Sequence, residues 1–167
     1  MIWHHSHRFS PAGAAIADRH YSRQKPGTPQ FAPPGACVVF KADAAVWVSS
    51  WPLPQYTKHK WAGAWINSLF RKEGEGMASQ FIREAIAATR FEWPDVPLLG
   101  MVSFIDPAEV QPRMVRGRAT WAHSYFEAGF KHVGYTKGGL WAMQILPVDM
   151  PAPEAAIGAQ LELGGAA

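Results

Sequence analysis

Eight consecutive residues from Leu98 to Ile105 read Leu-Leu-Gly-Met-Val-Ser-Phe-Ile, a nearly unbroken apolar run. Such a run lacks the alternation of a half-exposed strand, so it is expected to form a strand covered on both faces within a mixed sheet. Asp106-Pro107 ends it. That leaves a carboxylate at the carboxyl edge of a central strand, where open α/β sheets place their ligands.

The remaining elements follow from local chemistry. Ser10-Pro11 starts a helix over about 11–21, because serine caps the free amides and proline at the first helical position forfeits no hydrogen bond. Residues 25–35 hold four prolines and two glycines and form a long loop. Ala36–Phe40 and Ala45–Ser49 read as a hairpin, and Trp61–Phe70 as a third strand. From Gly76 to Phe91 the residues Phe81, Ile82, Ala85, Ile86 and Thr89 recur at helical spacing, and Trp93-Pro94-Asp95 stops the helix. Thr120–Ala128 forms a short helix closed by Gly129, and Phe130–Tyr135 with Leu140–Leu146 a final hairpin. Residues 1–146 are therefore expected to form one domain, and 147–167, rich in Pro, Ala, Gly and acids, a disordered tail.

Composition narrows the classes. The chain has 167 residues, 48% of them hydrophobic and 17% charged, which excludes a disordered polymer and a coiled coil. No run of roughly 18 apolar residues occurs, and Met1-Ile2-Trp3-His4-His5-Ser6-His7-Arg8 lacks the apolar stretch of a signal peptide, so a cytoplasmic location without membrane contact is expected. The single cysteine, Cys37, excludes an internal disulfide and a Cys-rich zinc site. No metal is expected from His4-His5-x-His7, which has no carboxylate cluster beside it.

The net charge of +3 is unevenly spread. Residues 1–60 carry seven Lys/Arg against two acids, residues 61–110 four against seven, and residues 111–140 five against one. If the two basic segments meet on one face they can hold a polyanion such as DNA or a phosphorylated cofactor. Solvated surface charge explains the same counts equally well. Arg113, Arg116 and Arg118 surround Gly117 in what reads as a loop.

Arg71-Lys72-Glu73-Gly74-Glu75-Gly76 lies between a strand and the best-defined helix, where free amides and the helix dipole favour a phosphate. Further on stands Ser124-Tyr125-Phe126-Glu127-Ala128-Gly129-Phe130. Together these segments resemble the GCN5-related N-acetyltransferase (GNAT) superfamily, over about residues 8–146. The resemblance implies an α/β fold of the α+β type, a mixed and mostly antiparallel central sheet with splayed central parallel strands and flanking helices. It implies that Arg71, Gly74, Gly76 and Ser79 bind acetyl-coenzyme A or a related phosphorylated donor, and that Tyr125 protonates a leaving thiolate. Glu73 and Glu75 depart from the pattern, because their charges oppose an anion in that loop.

His20-Tyr21-Ser22-Arg23, Phe70-Arg71, Ser79 and Asp106, in that order, also look like the phage Mom DNA-modification proteins, a branch of the same superfamily. This resemblance implies a phage protein, expressed in a bacterial host, that adds a carbamoylmethyl group to N6 of adenine in double-stranded DNA and so blocks restriction. An exocyclic adenine amine is a poor nucleophile that needs positioning and loss of a proton. His20, Tyr21, Asp106 and Tyr125 are the expected catalytic residues, with Asp106 or His20 as proton acceptor. Arg23, Lys25, Trp51, Arg116 and Arg118 are expected at the DNA. A flipped base would stack on Tyr21, Trp47, Trp51, Trp61 or Trp65, with the loop 25–35 at the entrance. The alternatives are an acetyl-coenzyme A-dependent N-acetyltransferase of a small amine or aminated nucleobase, and a DNA-binding module without chemistry.

Overall fold

A computed structural model of the protein describes residues 1–23 and 25–159. Its elements in chain order are β1 (His4–His5), α1 (Pro11–Ala17), β2 (Cys37–Ala42), β3 (Ala45–Ser50), β4 (Trp65–Lys72), α2 (Ala78–Glu92), β5 (Met101–Ile105), β6 (Arg113–Val115), β7 (Arg118–Thr120), α3 (His123–Glu127), β8 (Lys131–Tyr135) and β9 (Trp141–Ile145). Seven strands form one sheet in the order β1-β2-β3-β4-β5-β9-β8, and β6 pairs only with β7. The fold is mixed α and β, with a mostly antiparallel sheet.

One parallel pair breaks the antiparallel pattern. β4 and β5 align Trp65 with Met101, Ile66 with Val102 and Asn67 with Ser103, and the register ends there. β4 continues to Lys72, so its last five residues have no partner in β5. A bulge adds to the divergence. Val48 of β3 faces Leu69 while Ser49 faces Asn67, which leaves Ser68 as the extra residue. An extra residue bends its strand and takes one position out of the ladder.

Both sheet faces are covered, as the apolar run of β5 requires. On one face α2 buries Ile82, Ala85, Ile86 and Thr89, spaced at three and four residues, against Trp3, Trp47, Trp65, Met101 and Met143. Burying Ile82 and Ile86 fully stabilises the fold by roughly 1.5–3 kcal/mol each. On the other face α1 and the loop 25–35 cover β2, β3 and β4 through Ile16, Ala17, Phe31 and Ala32. β3 is consequently buried at all six positions.

Several boundaries differ from expectation. α1 ends at Ala17, because the Asp18 carboxylate turns to Arg23 (2.8 Å) and to the amide of Gly27 (3.1 Å) and draws the chain out of helical register. β4 starts at Trp65, since Trp61–Ala64 closes a turn. Residues 113–118, expected as loop, form the β6–β7 hairpin together with Thr120, expected to open a helix that instead starts at His123. The expected disordered tail is ordered as far as it is described. Met150 and Ala156 are buried, and Ile157 exchanges backbone hydrogen bonds with Trp3 and His5 at 2.9 Å. Residues 160–167 lie outside the described residues. No helix among the described residues is long and apolar enough to cross a membrane.

Candidate functional site

The divergence of β4 and β5 opens a cleft of about 760 Å³ at their carboxyl ends. Its floor is Asn67 and Ser103, the last aligned pair of the two strands. Tyr125 of α3 donates its hydroxyl proton to Asn67 Oδ1 at 2.6 Å, and Ser103 donates to the same oxygen at 3.1 Å. The Asn67 amide donates to the carbonyls of Val48 (3.2 Å) and Leu69 (3.0 Å), so the amide orientation is fixed from both ends. Burial pushes the Tyr125 phenol above its ordinary range, with partial relief from the Ser103 hydroxyl.

The rim is built by segments far apart in sequence. Past α1 the chain places His20 stacked on Tyr21, with ring centroids 4.4 Å apart. Asp106 stands at the end of β5, and its backbone N–H donates to the Tyr21 hydroxyl at 3.4 Å. Burial, with the charges of Asp106 and Glu109, raises the Tyr21 phenol, and the hydrogen bond from the Asp106 amide partly opposes this. Asp106 Oδ1 accepts from the amide of Ala108 at 2.9 Å, which orients the carboxylate.

His20 is held neutral. Burial, aided by the nearby Arg71 charge, lowers it from 6.5 to about 4. Its Nδ1 lies 3.1 Å from the backbone N–H of Ser22 and 2.7 Å from that residue's hydroxyl. A backbone N–H can only donate, so Nδ1 is the acceptor and the neutral ring carries its proton on Nε2. That proton makes Nε2 of this cleft-lining residue a donor. Asp106 is therefore the better proton acceptor of the two candidates.

The structure thus brings His20, Tyr21, Asp106 and Tyr125 to one cleft. It does not bring the other candidates there. Arg23 is buried by its own ties, bonding Asp18 and the carbonyls of Thr28 (2.5 Å) and Gln30 (2.9 Å), so it braces the loop 25–35. Lys25 is exposed on that loop, and no residue of 25–35 lines the cleft. Trp51 bonds the carbonyl of Gly63 and packs on Trp65 and Trp93, at the opposite end of β4. Trp47, Trp61 and Trp65 are buried in the core. Of the expected stacking platforms only Tyr21 lines the cleft. Arg116 and Arg118 stand on the β6–β7 hairpin, whose base contributes Arg113 and Thr120 to the cleft wall.

The expected donor loop is dispersed. Arg71 lies near His20 and 3.5 Å from Glu73, which is itself gripped by Arg19 through contacts of 2.5–2.9 Å. Gly74 borders a separate depression beside the β2–β3 turn, and the Lys72 ammonium bonds its carbonyl. Gly76 has a positive φ of 99°, and a Cβ there would stand 3.0 Å from the Phe81 ring. Ser79 faces a groove of about 520 Å³ lined by Arg83, Glu84 and Pro151. Gly74 and Ser79 thus line two different depressions, and Arg71 lines neither.

Asn67 and Ser103 were not singled out by sequence reasoning. Their signal is a polar residue inside each of two apolar strands, Trp-Ile-Asn-Ser-Leu and Met-Val-Ser-Phe-Ile. No protein-family model matches the chain, and no match to it was found among curated proteins or solved structures. Among the described residues no group of three His, Cys, Asp or Glu is placed to hold a metal ion.

Proposed function

We propose that the protein is a GNAT-like transferase of the Mom type, which adds a carbamoylmethyl group to N6 of adenine in phage DNA within a bacterial host cell. The observation that carries this reading is the meeting of His20, Tyr21, Asp106 and Tyr125, from three separate stretches of chain, around one cleft. Tyr21 offers a partly exposed ring for a base to stack on, and His20 Nε2–H a donor for a ring nitrogen. As the amine nitrogen forms its new bond to the transferred carbon, the bond from that carbon to the donor's leaving group breaks, the leaving group departs with the electron pair, and Asp106 accepts the proton the nitrogen loses. Tyr125 donates its hydrogen bond to Asn67 Oδ1, so in this arrangement it shapes the floor. The residues expected to hold an acetyl-coenzyme A-type donor do not assemble into one site, and no step is assigned to that group.

The second reading is an N-acetyltransferase of a small amine or aminated nucleobase, favoured by the unpartnered edges of β4 and β5, which can accept an extended amide-bearing ligand. Mass spectrometry of nucleosides from DNA of cells expressing the protein separates the readings. A carbamoylmethyl-adenine peak is expected, and Asp106→Ala is expected to reduce it by about 10²- to 10⁴-fold, as for a lost general base, with an unchanged circular dichroism spectrum. Unmodified DNA together with acetylated amines favours the second reading. Full modification by folded Asp106→Ala removes Asp106 from the chemistry.

A further inference from the structure

We infer that the β6–β7 hairpin is a docking arm for duplex DNA, gripping phosphates beside the cleft while a base enters it. This rests on the proposal that the cleft acts on DNA, and it names the element that makes the contact.

The hairpin is a two-stranded ribbon apart from the main sheet. Its partners are Arg113 with Thr120, Met114 with Ala119, and Val115 with Arg118. Arg116 and Gly117 turn the chain with φ of 50° and 76°, the two positive values of a tight two-residue hairpin turn. Side chains alternate along each strand, so Arg113, Thr120, Val115 and Arg118 share one face, and Met114 and Ala119 the other. Arg113 and Thr120 line the cleft, so the face with two arginines looks towards it, and Arg116 stands at the tip.

Nothing among the described residues neutralises this charge. Arg113, Arg116 and Arg118 are exposed, and none makes an ion pair among the described residues. Arg113 faces Thr120 and Arg118 faces Val115, so the two arginines of this face are diagonal neighbours, and a lone two-stranded ribbon is marginal to begin with. The arm is nonetheless held at its root, where the Trp121 indole N–H donates to the carbonyl of Val110 at 3.0 Å and ties the two legs of the excursion together. Such a ribbon, carrying three exposed arginines and fixed at the mouth of a cleft, is suited to a polyanion.

The cleft itself points to the division of labour. Asp106 and Glu109 line its interior and repel phosphate, whereas Arg113 stands on its wall and Arg116 and Arg118 lie outside it. A base can occupy the interior while its backbone stays on the ribbon. A two-stranded ribbon fits the wide major groove of B-form DNA, whereas the major groove of an RNA duplex is too narrow for side chains to read.

The test is fluorescence anisotropy of the full chain with a labelled DNA duplex across a salt series, beside an RNA duplex of the same sequence. Removing all three arginines as R113S/R116S/R118S is expected to reduce the slope of log affinity against log salt by about 2.7, three phosphates at roughly 0.9 each. K131S, which removes an exposed charge from the start of β8 where it pairs with Gln144, is expected to leave the slope unchanged. An unchanged slope in the triple variant with a wild-type melting temperature overturns the inference, as does tighter binding to RNA or no binding to DNA. Salt-sensitive binding lost in the triple variant supports the arm even if nucleoside analysis finds no modified adenine. That pairing of results rejects the chemistry and keeps the arm.

Discussion

The cleft and the loop between β4 and α2 both start from the carboxyl end of β4, yet they are built on opposite principles. The cleft is assembled by topology, because the parallel β4–β5 pair ends at Asn67 and Ser103 and the space beyond is filled by residues 20–22, 106–113 and 120–125. The loop is a local motif in which Arg71, Lys72 and Glu73 already have partners. Glu73 is paired by Arg19 and approached by Arg71, and Lys72 is drawn to Gly74 and lies over the Phe81 ring at 5.3 Å. Residues that share a motif therefore point to three surfaces, whereas residues scattered over a hundred positions share one. A site is defined by where chain segments diverge, and a phosphate-loop spacing is only as informative as the space in front of it.

The largest test of this contrast is structural. Gly100 enters β5 with φ of 64°, its carbonyl accepts from Trp65 at 2.9 Å, and a Cβ would stand 1.9 Å from the carbonyl oxygen of Ile145. Gly100→Ala is expected to cost about 3 kcal/mol or more, combining a left-handed penalty with a backbone clash that cannot relax easily. Gly76→Ala in the loop meets only a phenylalanine ring and is expected to cost less, about 1–2 kcal/mol from the same backbone penalty. Urea denaturation of both variants checks the order, and equal losses would erase the distinction.

Next in size is the cleft floor. Asn67→Ala leaves two hydroxyls without their acceptor and two carbonyls without their donor, at a buried position. The expected loss is about 2 kcal/mol, within the range for unsatisfied buried polar groups. Denaturation at wild-type midpoint would mean that this network does not hold the two strands where they part.

Much of this architecture is legible from sequence and the reasons for the remainder are specific. The apolar run at β5 and the helical spacing of α2 are strong local signals, and both elements form within a few residues of expectation. Asp106 after that run was legible as a strand-edge carboxylate. The β6–β7 ribbon was not, because its turn carries Arg-Gly in place of the usual Asn-Gly, and its strands bury nothing that would impose an alternating pattern. Arg23 and Trp51 look like surface groups when read singly, and only tertiary contacts reveal one as a brace and the other as packing. The residues 147–159 lack a hydrophobic period, yet Met150 and Ala156 suffice to seat them against the core.

The smallest expected effect bears on whether His20 truly belongs to the cleft. In the unfolded chain the imidazole protonates near 6.5, and in the fold burial and Arg71 hold it near 4. Between these values the unfolded state binds the additional proton, so stability is fully present above 6.5, declines as pH falls, and levels off below about 4. The His20 ring protons followed by NMR are expected to titrate near 4, and Arg71→Ala is expected to move that midpoint upward by removing a repelling charge. If instead the midpoint sits near 6.5 and ignores Arg71, the ring faces water. Tyr21 would then lose its stacking partner, and the meeting of residues that distinguishes the cleft from the loop would reduce to Asp106 and Tyr125 alone.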